Sequence, residues 1–446
     1  MRNDRRSIFG WSLYDFANSA YTTTTLAVLL PAVFADQIVG EGGATILGVT
    51  LDAESLFGYM VGATALIAFL FSPALGAIGD FSASKLRFLR VFAYTGAVLS
   101  TGFALAGPGD VWFTIALFLV VESCWAFANV FYDSFLPHLT TPDTIDRVSS
   151  KGFAYGYFGG GLQFLLALLL IQFSPESFTA TAVRIAIVGA GAWWLAFSII
   201  GLRRLVEPAA AQAIPAEYQT GWRPLSYARL GFTRTLRTVR QLRQFPQLLL
   251  FLVAFFLYND GVQTVIAISA VFATETLQLD VGDVALAFLA VQIVGVVGAL
   301  AFGRLAGLIG TKRAILVSLV LWTGISVFGY FLPEGEFLPF LGLAASVGLV
   351  LGGTQALSRS LYGTMIPEQA TAEFYGFYSV FSKFASIWGP LVFAFVNQVT
   401  GSSRNAILSL IFFFAVGFVL LSAVDIGRAQ QAKTEWRFHG ADVDVA

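Results

Sequence analysis

The stretch GAIGDFSASK, residues 76–85, recurs in the second half of the chain as GRLAGLIGTK, residues 303–312, with its first glycine and its last lysine in register. A second pair of segments is also alike, NVFYDSFLPH at 129–138 and RSLYGTMIPE at 359–368. Each segment follows a long apolar run at the corresponding place of its half. Because an internal repeat marks a fold built from similar units, we expect two related halves.

The composition indicates that these halves lie in a membrane. Of the 446 residues, 57% are hydrophobic and 12% are charged, about half the charged share of an ordinary globular domain. A helix needs roughly 20 apolar residues to cross a hydrocarbon core of about 30 Å, and the runs show no alternation of the barrel-strand type. We therefore predict an all-α integral membrane protein with twelve transmembrane helices in two bundles of six. The predicted spans are 11–37, 56–79, 87–106, 111–135, 152–173, 181–203, 246–273, 283–309, 314–332, 337–363, 374–397 and 405–425.

Basic residues lie on alternate connections between these spans, and the opposite connections are mainly acidic. The basic residues stand ahead of the first span (Arg2, Arg5, Arg6) and after the second (Lys85, Arg87, Arg90), the fourth (Arg147, Lys151), the sixth (Arg203, Arg204, Arg223, Arg229, Arg234, Arg237, Arg240, Arg243), the eighth (Lys312, Arg313) and the twelfth (Arg428, Lys433, Arg437). Since basic loops stay on the cytoplasmic side, we expect both termini to be cytoplasmic. The expected domains are an N-terminal six-helix bundle at 1–203, a cytoplasmic linker at 204–245, a C-terminal six-helix bundle at 246–427 and a cytoplasmic tail at 428–446.

The linker carries arginines at helical spacing, at positions 234, 237 and 240. Residues 223–245 are therefore predicted to form an amphipathic basic helix on the inner leaflet. Two interpretations stay open for this helix: a tether held against anionic lipid, or a regulatory or partner-binding element.

Gly76, Asp80 and Lys85 resemble the loop signature of the major facilitator superfamily, although Phe81 and Ala83 stand where that signature has arginine and glycine. Four longer segments carry a more specific likeness. They are WSLYDFANSAYTTTT (11–25), GFAYGYFGGGL (152–162), GGTQALSRSLYGTMIPE (352–368) and SKFASIWGP (382–390). With them, essentially the whole chain resembles the vacuolar amino-acid effluxer family of the autophagy-related type.

This resemblance implies the major facilitator fold and a secondary transporter rather than an enzyme. Amino acids are the favoured solute, because characterised fungal relatives export them from vacuoles. By the same resemblance, Asp80 lies near an interface between the halves, where it caps a neighbouring helix or pairs with a basic loop residue and favours the outward-open state. The expected gating residues are Gly76, Asp80, Lys85 and Arg359.

Polar residues within the spans mark the expected transport path, since a charge in mid-bilayer needs a partner or a water-filled cavity. Glu122 and Asp260 lie roughly 16–21 Å into their spans, near the midplane, and one or the other is expected to carry the coupling proton. Asp15 and Arg359 lie nearer the cytoplasmic ends, where a functional and an interfacial role both stay open. The expected substrate-binding residues are Asp15, Asn18, Asn129, Asn259, Gln263 and Gln355.

Lys383 stands in the eleventh span, roughly 14 Å from its inner boundary, too deep for the lysine stem to reach water. Asp260, at similar depth on the seventh span, is its expected ion-pair partner. Whether the Lys383–Asp260 pair only fixes the helices or opens during transport stays open.

The remaining features exclude other classes of protein. No phosphate-loop sequence of an ATP-driven pump occurs, and the basic residues form no patch for nucleic acid. One cysteine, Cys124, and two histidines, His138 and His439, are too few for a metal site, so neither a metal nor a cofactor is expected. Both histidines are expected to be solvated. A membrane enzyme would need clustered His, Cys or paired carboxylates, which the sequence lacks.

The expected partners are a small-molecule solute, the lipid bilayer and protons, for a monomer in the cell membrane. The alternative is a non-transporting receptor or a lipid-handling protein on the same fold. The identity of the solute, the direction of transport and the choice between symport, antiport and uniport stay open.

Overall fold

The computed structural model describes residues 2–46, 48–208 and 245–435, with four isolated positions at 231, 233, 235 and 238. In this part of the chain, twelve helices are long and apolar enough to cross a membrane, which confirms the expected spans as helices. They are α1 (Arg5–Val39), α2 (Ala53–Ser82), α3 (Lys85–Leu105), α4 (Val111–Leu139), α5 (Ile145–Gln172), α6 (Glu176–Leu202), α7 (Pro246–Thr276), α8 (Val281–Ile309), α9 (Thr311–Tyr330), α10 (Phe337–Met365), α11 (Glu368–Thr400) and α12 (Ser403–Ala423). A short helix, α13 (Ile426–Glu435), follows them. The basic helix predicted at 223–245 lies almost entirely outside the described residues.

One short hairpin departs from the all-helical expectation. Between α1 and α2, the strands β1 (Ala44–Ile46) and β2 (Val49–Leu51) pair antiparallel. Gly48 in the turn has a φ of +83°, a conformation that costs a glycine little and other residues much. The hairpin lies on the end of the bundle away from the start of α1.

Helix α1 begins earlier than predicted and is irregular inside. Asp4 caps it, since the backbone N–H of Ser7 donates to Asp4 Oδ2 at 2.9 Å, and this cap explains the early start at Arg5. The segment Tyr21–Leu29 is π-helical. It contains four consecutive threonines, whose β-branched side chains suit a regular α-helix poorly. Such wider turns are frequent at functional sites.

Helix α11 is interrupted near its middle, so the continuous span predicted at 374–397 is wrong in this respect. Its two pieces are Thr371–Phe384 and Trp388–Thr400, with three residues between them outside the helix. Pro390 explains the interruption, because it lacks a backbone N–H and its ring collides with the carbonyl group four residues earlier. In the first turn of the second piece the same proline is well tolerated.

The most extensive packing between the first six helices and the last six is that of α2 against α11 and of α5 against α8; α5 also packs against α10, and α4 against α11. Where α2 meets α11 the approach is very close. A methyl group built on Gly376 would lie 2.6 Å from Pro73 Cα, and one on Gly76 would overlap the backbone of Ala372. Small residues at such positions let helices touch through their backbones. This contact lies at the end of the bundle where α1 begins and α12 ends, which we call the terminal end.

Replacing Gly376 with leucine should force α2 and α11 apart. Overpacking of this kind costs about 1–3 kcal/mol, and more where only backbone can give way. We expect a lower midpoint in thermal unfolding of the purified protein than for the wild type. Gly324→Leu is the matched control, because Gly324 is exposed and a Cβ atom added there meets no atom within 4 Å. Equal midpoints for the two variants would contradict the close contact.

Candidate functional site

The polar contacts between the halves, among the described residues, lie mainly at the terminal end. They are Arg2–Glu368, Asp80–Ala372, Asp80–Glu373, Lys85–Thr371, His138–Thr371, Asp15–Arg359, Asp133–Arg359, Ser149–Arg359, Ser149–Ala356, Asp146–Ser360 and Asp146–Thr311. Two further contacts, Glu122–Lys383 and Tyr157–Gln355, lie deeper along the helices. The terminal end is thus held closed by hydrogen bonds and ion pairs.

Asp80, at the end of α2, makes both of the expected contacts: it caps a neighbouring helix and it pairs with a basic residue. Its two carboxylate oxygens accept from the backbone N–H groups of Ala372 and Glu373, at 3.2 and 2.9 Å, in the first turn of the first piece of α11. Its Oδ1 also lies 2.7 Å from Lys85 Nζ. A carboxylate at this place is favourable, because the first N–H groups of a helix have no partner within the helix. One side chain of the first half therefore caps a helix of the second.

Lys85 is fully coordinated. Besides Asp80, its Nζ contacts Thr371 Oγ1 at 2.7 Å and His138 Nε2 at 3.1 Å. A lysine ammonium has three N–H donors and no acceptor, so His138 Nε2 must accept and the ring is neutral, with its proton on Nδ1. The expectation that His138 is a solvated loop residue is therefore wrong, since it lies partly buried at the end of α4. His439 lies outside the described residues.

Glu207, at the start of the linker beyond α6, binds the first turn of α3, next to Lys85. Its carboxylate accepts from the backbone N–H groups of Lys85, at 2.8 Å, and Leu86, at 2.6 Å. Burial raises the pKa of the Glu207 carboxyl, and these two hydrogen bonds oppose that shift. Sequence reasoning missed this residue. Its one signal is an acidic side chain three residues after the pair of arginines at 203 and 204.

Arg359, on α10, is buried against helices of the first half. Its Nη1 lies 3.1 Å from Asp133 Oδ1 and 3.7 Å from Asp15 Oδ2, and its Nε and Nη2 donate to Ser149. The guanidinium carbon also lies 4.3 Å from the ring centre of Phe153. Only 4% of the Arg359 side chain is exposed, so it does not reach the interface with water. The arginine joins α10 to α1, α4 and α5.

Asp133 was missed at the sequence level, although a signal for it exists. The polar stripe of α4 runs through Glu122, Trp125 and Asn129, and the same spacing of four leads to Asp133. The structure also places Asp15 here, where Tyr132 donates to its Oδ2 at 3.0 Å. Asp15, expected as a substrate ligand, is therefore an ion-pair partner of Arg359.

Glu122 and Lys383 form an ion pair across the halves, deeper in the bundle. Lys383 Nζ lies 3.3 Å from Glu122 Oε2, and Tyr21, at the start of the π-helical segment, donates to Oε1 at 3.0 Å. The expected pairing of Lys383 with Asp260 is therefore wrong. The interruption of α11 explains the difference, because Lys383 ends the piece that packs on α2 and α4.

Asp260 instead lies beside the start of the second piece of α11. The backbone N–H of Gly389 donates to its Oδ1 at 2.9 Å. The residue is 0% exposed, and its Oδ2 has no hydrogen-bond partner among the described residues. A second expected ligand, Asn259, reaches Ser382 O at 3.5 Å. Both residues therefore contact α11, on the two sides of its interruption.

The other expected substrate ligands form two groups. Asn18 lies 3.5 Å from Asn129, and Asn129 also donates to Trp125 O at 2.9 Å, all on α1 and α4. Gln355 accepts from Tyr157 at 3.3 Å, across the contact between α10 and α5. Gln263 is half-buried one turn beyond Asn259 on α7. The amides thus lie on α1 and α4 of the first half and on α7 and α10 of the second.

Comparisons with known proteins give the fold. The protein is similar to the major facilitator superfamily proton:xylose symporter XylE, with a TM-score of 0.69, 14% identity, and coverage of 97% of this chain and 98% of that chain. It is also similar to the human organic anion transporter MFSD10, with a TM-score of 0.67, 16% identity, and coverage of 94% and 99%. These likenesses confirm the major facilitator fold.

Relatives by sequence give the family. The chain is 32% identical over 422 residues to the uncharacterized MFS-type transporter YxiO of Bacillus subtilis (strain 168), covering 93% of this chain and 94% of that protein. It is 25% identical over 452 residues to autophagy-related protein 22 of Coccidioides immitis (strain RS), covering 86% and 74%. Residues 3–434 match the family described as "Vacuole effluxer Atg22 like". The protein is therefore a multi-pass membrane transporter and not an enzyme, and the chain belongs to the family of Atg22-like vacuole effluxers.

Proposed function

We propose that this protein is a proton-coupled secondary transporter that moves a small polar solute, in first place an amino acid, by alternating access. A zwitterion suits a site that offers an ammonium group, at Lys383, together with the carboxyl groups of Glu122 and Asp260. The amide side chains on the surrounding helices, such as Asn259 and Gln355, supply neutral donors and acceptors. We place the solute between the two halves, close to the Glu122–Lys383 pair that joins them.

The observation that carries the proposal is the contrast between the two carboxyl groups. Glu122 has a cation at 3.3 Å, whereas Asp260 is fully buried, without a cation at ion-pair distance among the described residues. An unpaired charge in the hydrocarbon core costs several kcal/mol. We therefore assign the coupling proton in this state to Asp260, with Glu122 ionised. When the site alternates, the two groups exchange surroundings.

The conformation follows from the same proposal. By the alternation of basic and acidic connections, the terminal end is the cytoplasmic one, and a transporter closed there faces outward in the cell membrane. We propose Gly76, Asp80, Lys85 and Arg359 as the residues that keep it closed. The bundles at 1–203 and 246–427 are then the moving bodies, joined by the linker at 204–245, with the tail at 428–446 on the same side.

The test is uptake by the full-length protein in proteoliposomes with an imposed pH gradient. Labelled amino acids, short peptides and sugars are supplied in turn, and at least one amino acid should accumulate. Asp260→Asn should abolish accumulation but keep exchange of labelled for unlabelled solute, because exchange needs no net proton movement. Glu54→Gln, an exposed carboxyl in the first turn of α2, is the control and should behave as the wild type. If Asp260→Asn kept gradient-driven uptake, the assignment of the coupling proton to Asp260 would be refuted, and if Glu122→Gln kept it as well, neither carboxyl group would carry the proton.

A further inference from the structure

Two lysines inside the bundle differ in how well they are coordinated. Lys85 Nζ has three partners within 3.1 Å, and 6% of its side chain is exposed. Lys383 Nζ has one acceptor among the described residues, Glu122 Oε2 at 3.3 Å, and 22% of its side chain is exposed. An ammonium carries three N–H donors. Two donors of Lys383 are therefore available to a ligand, whereas Lys85 has none to offer.

Trp125 places another donor beside Lys383. The ring centre of Trp125 lies 4.5 Å from Lys383 Nζ, and the indole N–H is buried with no acceptor in the described part of the chain. The indole N–H groups of Trp11 and Trp322 do have acceptors, at 2.8 and 3.0 Å. A buried N–H without an acceptor is unfavourable, so an acceptor brought by a ligand would be bound there.

We propose that a carboxylate of the transported solute binds between Lys383 and Trp125 and displaces Glu122 from the lysine, an inference that rests on the proposed transport of a polar solute. The two oxygens of a carboxylate can accept from the ammonium and from the indole N–H at the same time. Lys383 is the one incompletely coordinated cation that the described residues place at this depth. One positive charge matches a carboxylate monoanion and leaves a phosphate dianion half unpaired.

The displacement has a consequence for Glu122. Only 4% of its side chain is exposed, and after losing Lys383 it keeps the Tyr21 hydroxyl at 3.0 Å but no cation. A buried carboxylate stripped of its partner is strongly unfavourable, so Glu122 takes up a proton in place of the ammonium. Each solute carboxylate that binds thus brings one proton to Glu122. Solute binding and proton binding are linked through one lysine.

The test compares acids with their amides. The full-length protein in lipid nanodiscs is heated with a panel of amino acids of each side-chain class, each next to its carboxamide, with simple monocarboxylates and sugars added. At least one acid should raise the unfolding midpoint, while its amide, equal in shape but lacking the negative charge, should not. Binding of that acid should also take up about one proton from weakly buffered solution.

Two variants separate the site from general damage. Trp125→Phe keeps the ring over Lys383 but removes the N–H, and should weaken binding of the acid about tenfold. Trp322→Phe is the control, because that indole N–H donates to Thr354 Oγ1 within the second half, and this variant should bind the acid as the wild type does. The double variant Lys383→Gln with Glu122→Gln leaves no unpaired charge and should bind acid and amide equally. The single variant Lys383→Arg keeps the positive charge and should still prefer the acid over its amide.

The possible results distinguish failure of the carboxylate site from failure of the proposed transport. Equal binding of acids and amides by the wild type would overturn the inference, as would binding of sugars alone or failure of every acid in the panel. Proton-driven transport of a solute without a carboxylate would overturn the inference and leave the proposed function standing. Binding of acids by Lys383 and Trp125 without any flux in proteoliposomes would support the site and remove the transport proposal.

Discussion

Replacing Arg359 with methionine should strongly destabilise the protein. Only 4% of the Arg359 side chain is exposed, and it pairs with Asp133 and Asp15 across the halves. Without it, two carboxyl groups stay in the bundle with no cation, and breaking a buried pair in this way costs about 3–5 kcal/mol. We expect a large fall in the thermal unfolding midpoint of the purified protein and loss of transport.

Two comparisons make this result specific. Arg359→Met combined with Asp15→Asn and Asp133→Asn removes the stranded charges and should recover most of the lost stability. Arg428→Met, whose ion pair with Asp425 is largely exposed, should change the midpoint very little. A triple variant no more stable than Arg359→Met would show that lost packing on Phe153, rather than lost pairing, determines the effect.

Asp80→Asn should shift the protein toward a state open at the terminal end. The variant removes the charge that Lys85 pairs with and weakens the cap on α11. Hydrogen bonds to a charged group contribute about 1.5–3 kcal/mol each, and each 1.4 kcal/mol changes a conformational equilibrium about tenfold. Spin labels at Arg87 and Gln369, both exposed and on opposite halves, should therefore report a longer distance in a larger share of molecules.

The control for Asp80→Asn uses the same chemistry at the other end of the bundle. Asp52 caps α2, accepting from the backbone N–H of Ser55 at 2.7 Å, but lies within one half. Asp52→Asn should leave the distance between the labels unchanged. Cys124, the one cysteine of the sequence, is replaced by alanine beforehand so that only the introduced sites are labelled. Identical distances in the wild type and Asp80→Asn would refute the gating role.

The sequence predicts the spans and much of the terminal end, because both depend on properties that a linear pattern carries. Apolar length sets where helices cross, and the loop signature places Asp80 beside a helix start. The contacts of Lys383 are different in kind. They depend on the side of α11 that faces α4. The interruption ahead of Pro390 changes the rotation of the first piece of α11 relative to the second, and the sequence pattern does not show by how much.

The sequence also does not predict contacts between a motif and residues that are distant from it along the chain. His138 ends α4 and meets Lys85 only because the repeat segments of α2 and α4 come together in space. Glu207 caps α3 from the far side of α6, a distance that no periodicity encodes. The hairpin β1–β2 is too short for its alternation to stand out from a loop.

The interruption of α11 gives this helix a joint at mid-membrane depth. An unbroken helix transmits a tilt along its whole length, but a tight turn at 385–387, where the N–H groups of Ser386 and Ile387 bond three residues back instead of four, can absorb it. The piece before the joint packs on α2 and α4 of the first half and also on α7 of the second, whereas the piece after it packs on α7 and α12 of the second half. The turn at 385–387 therefore separates the part of α11 that joins the two halves from the part that packs within the second half, and bending there would let the second part tilt while the contact with α2 is kept.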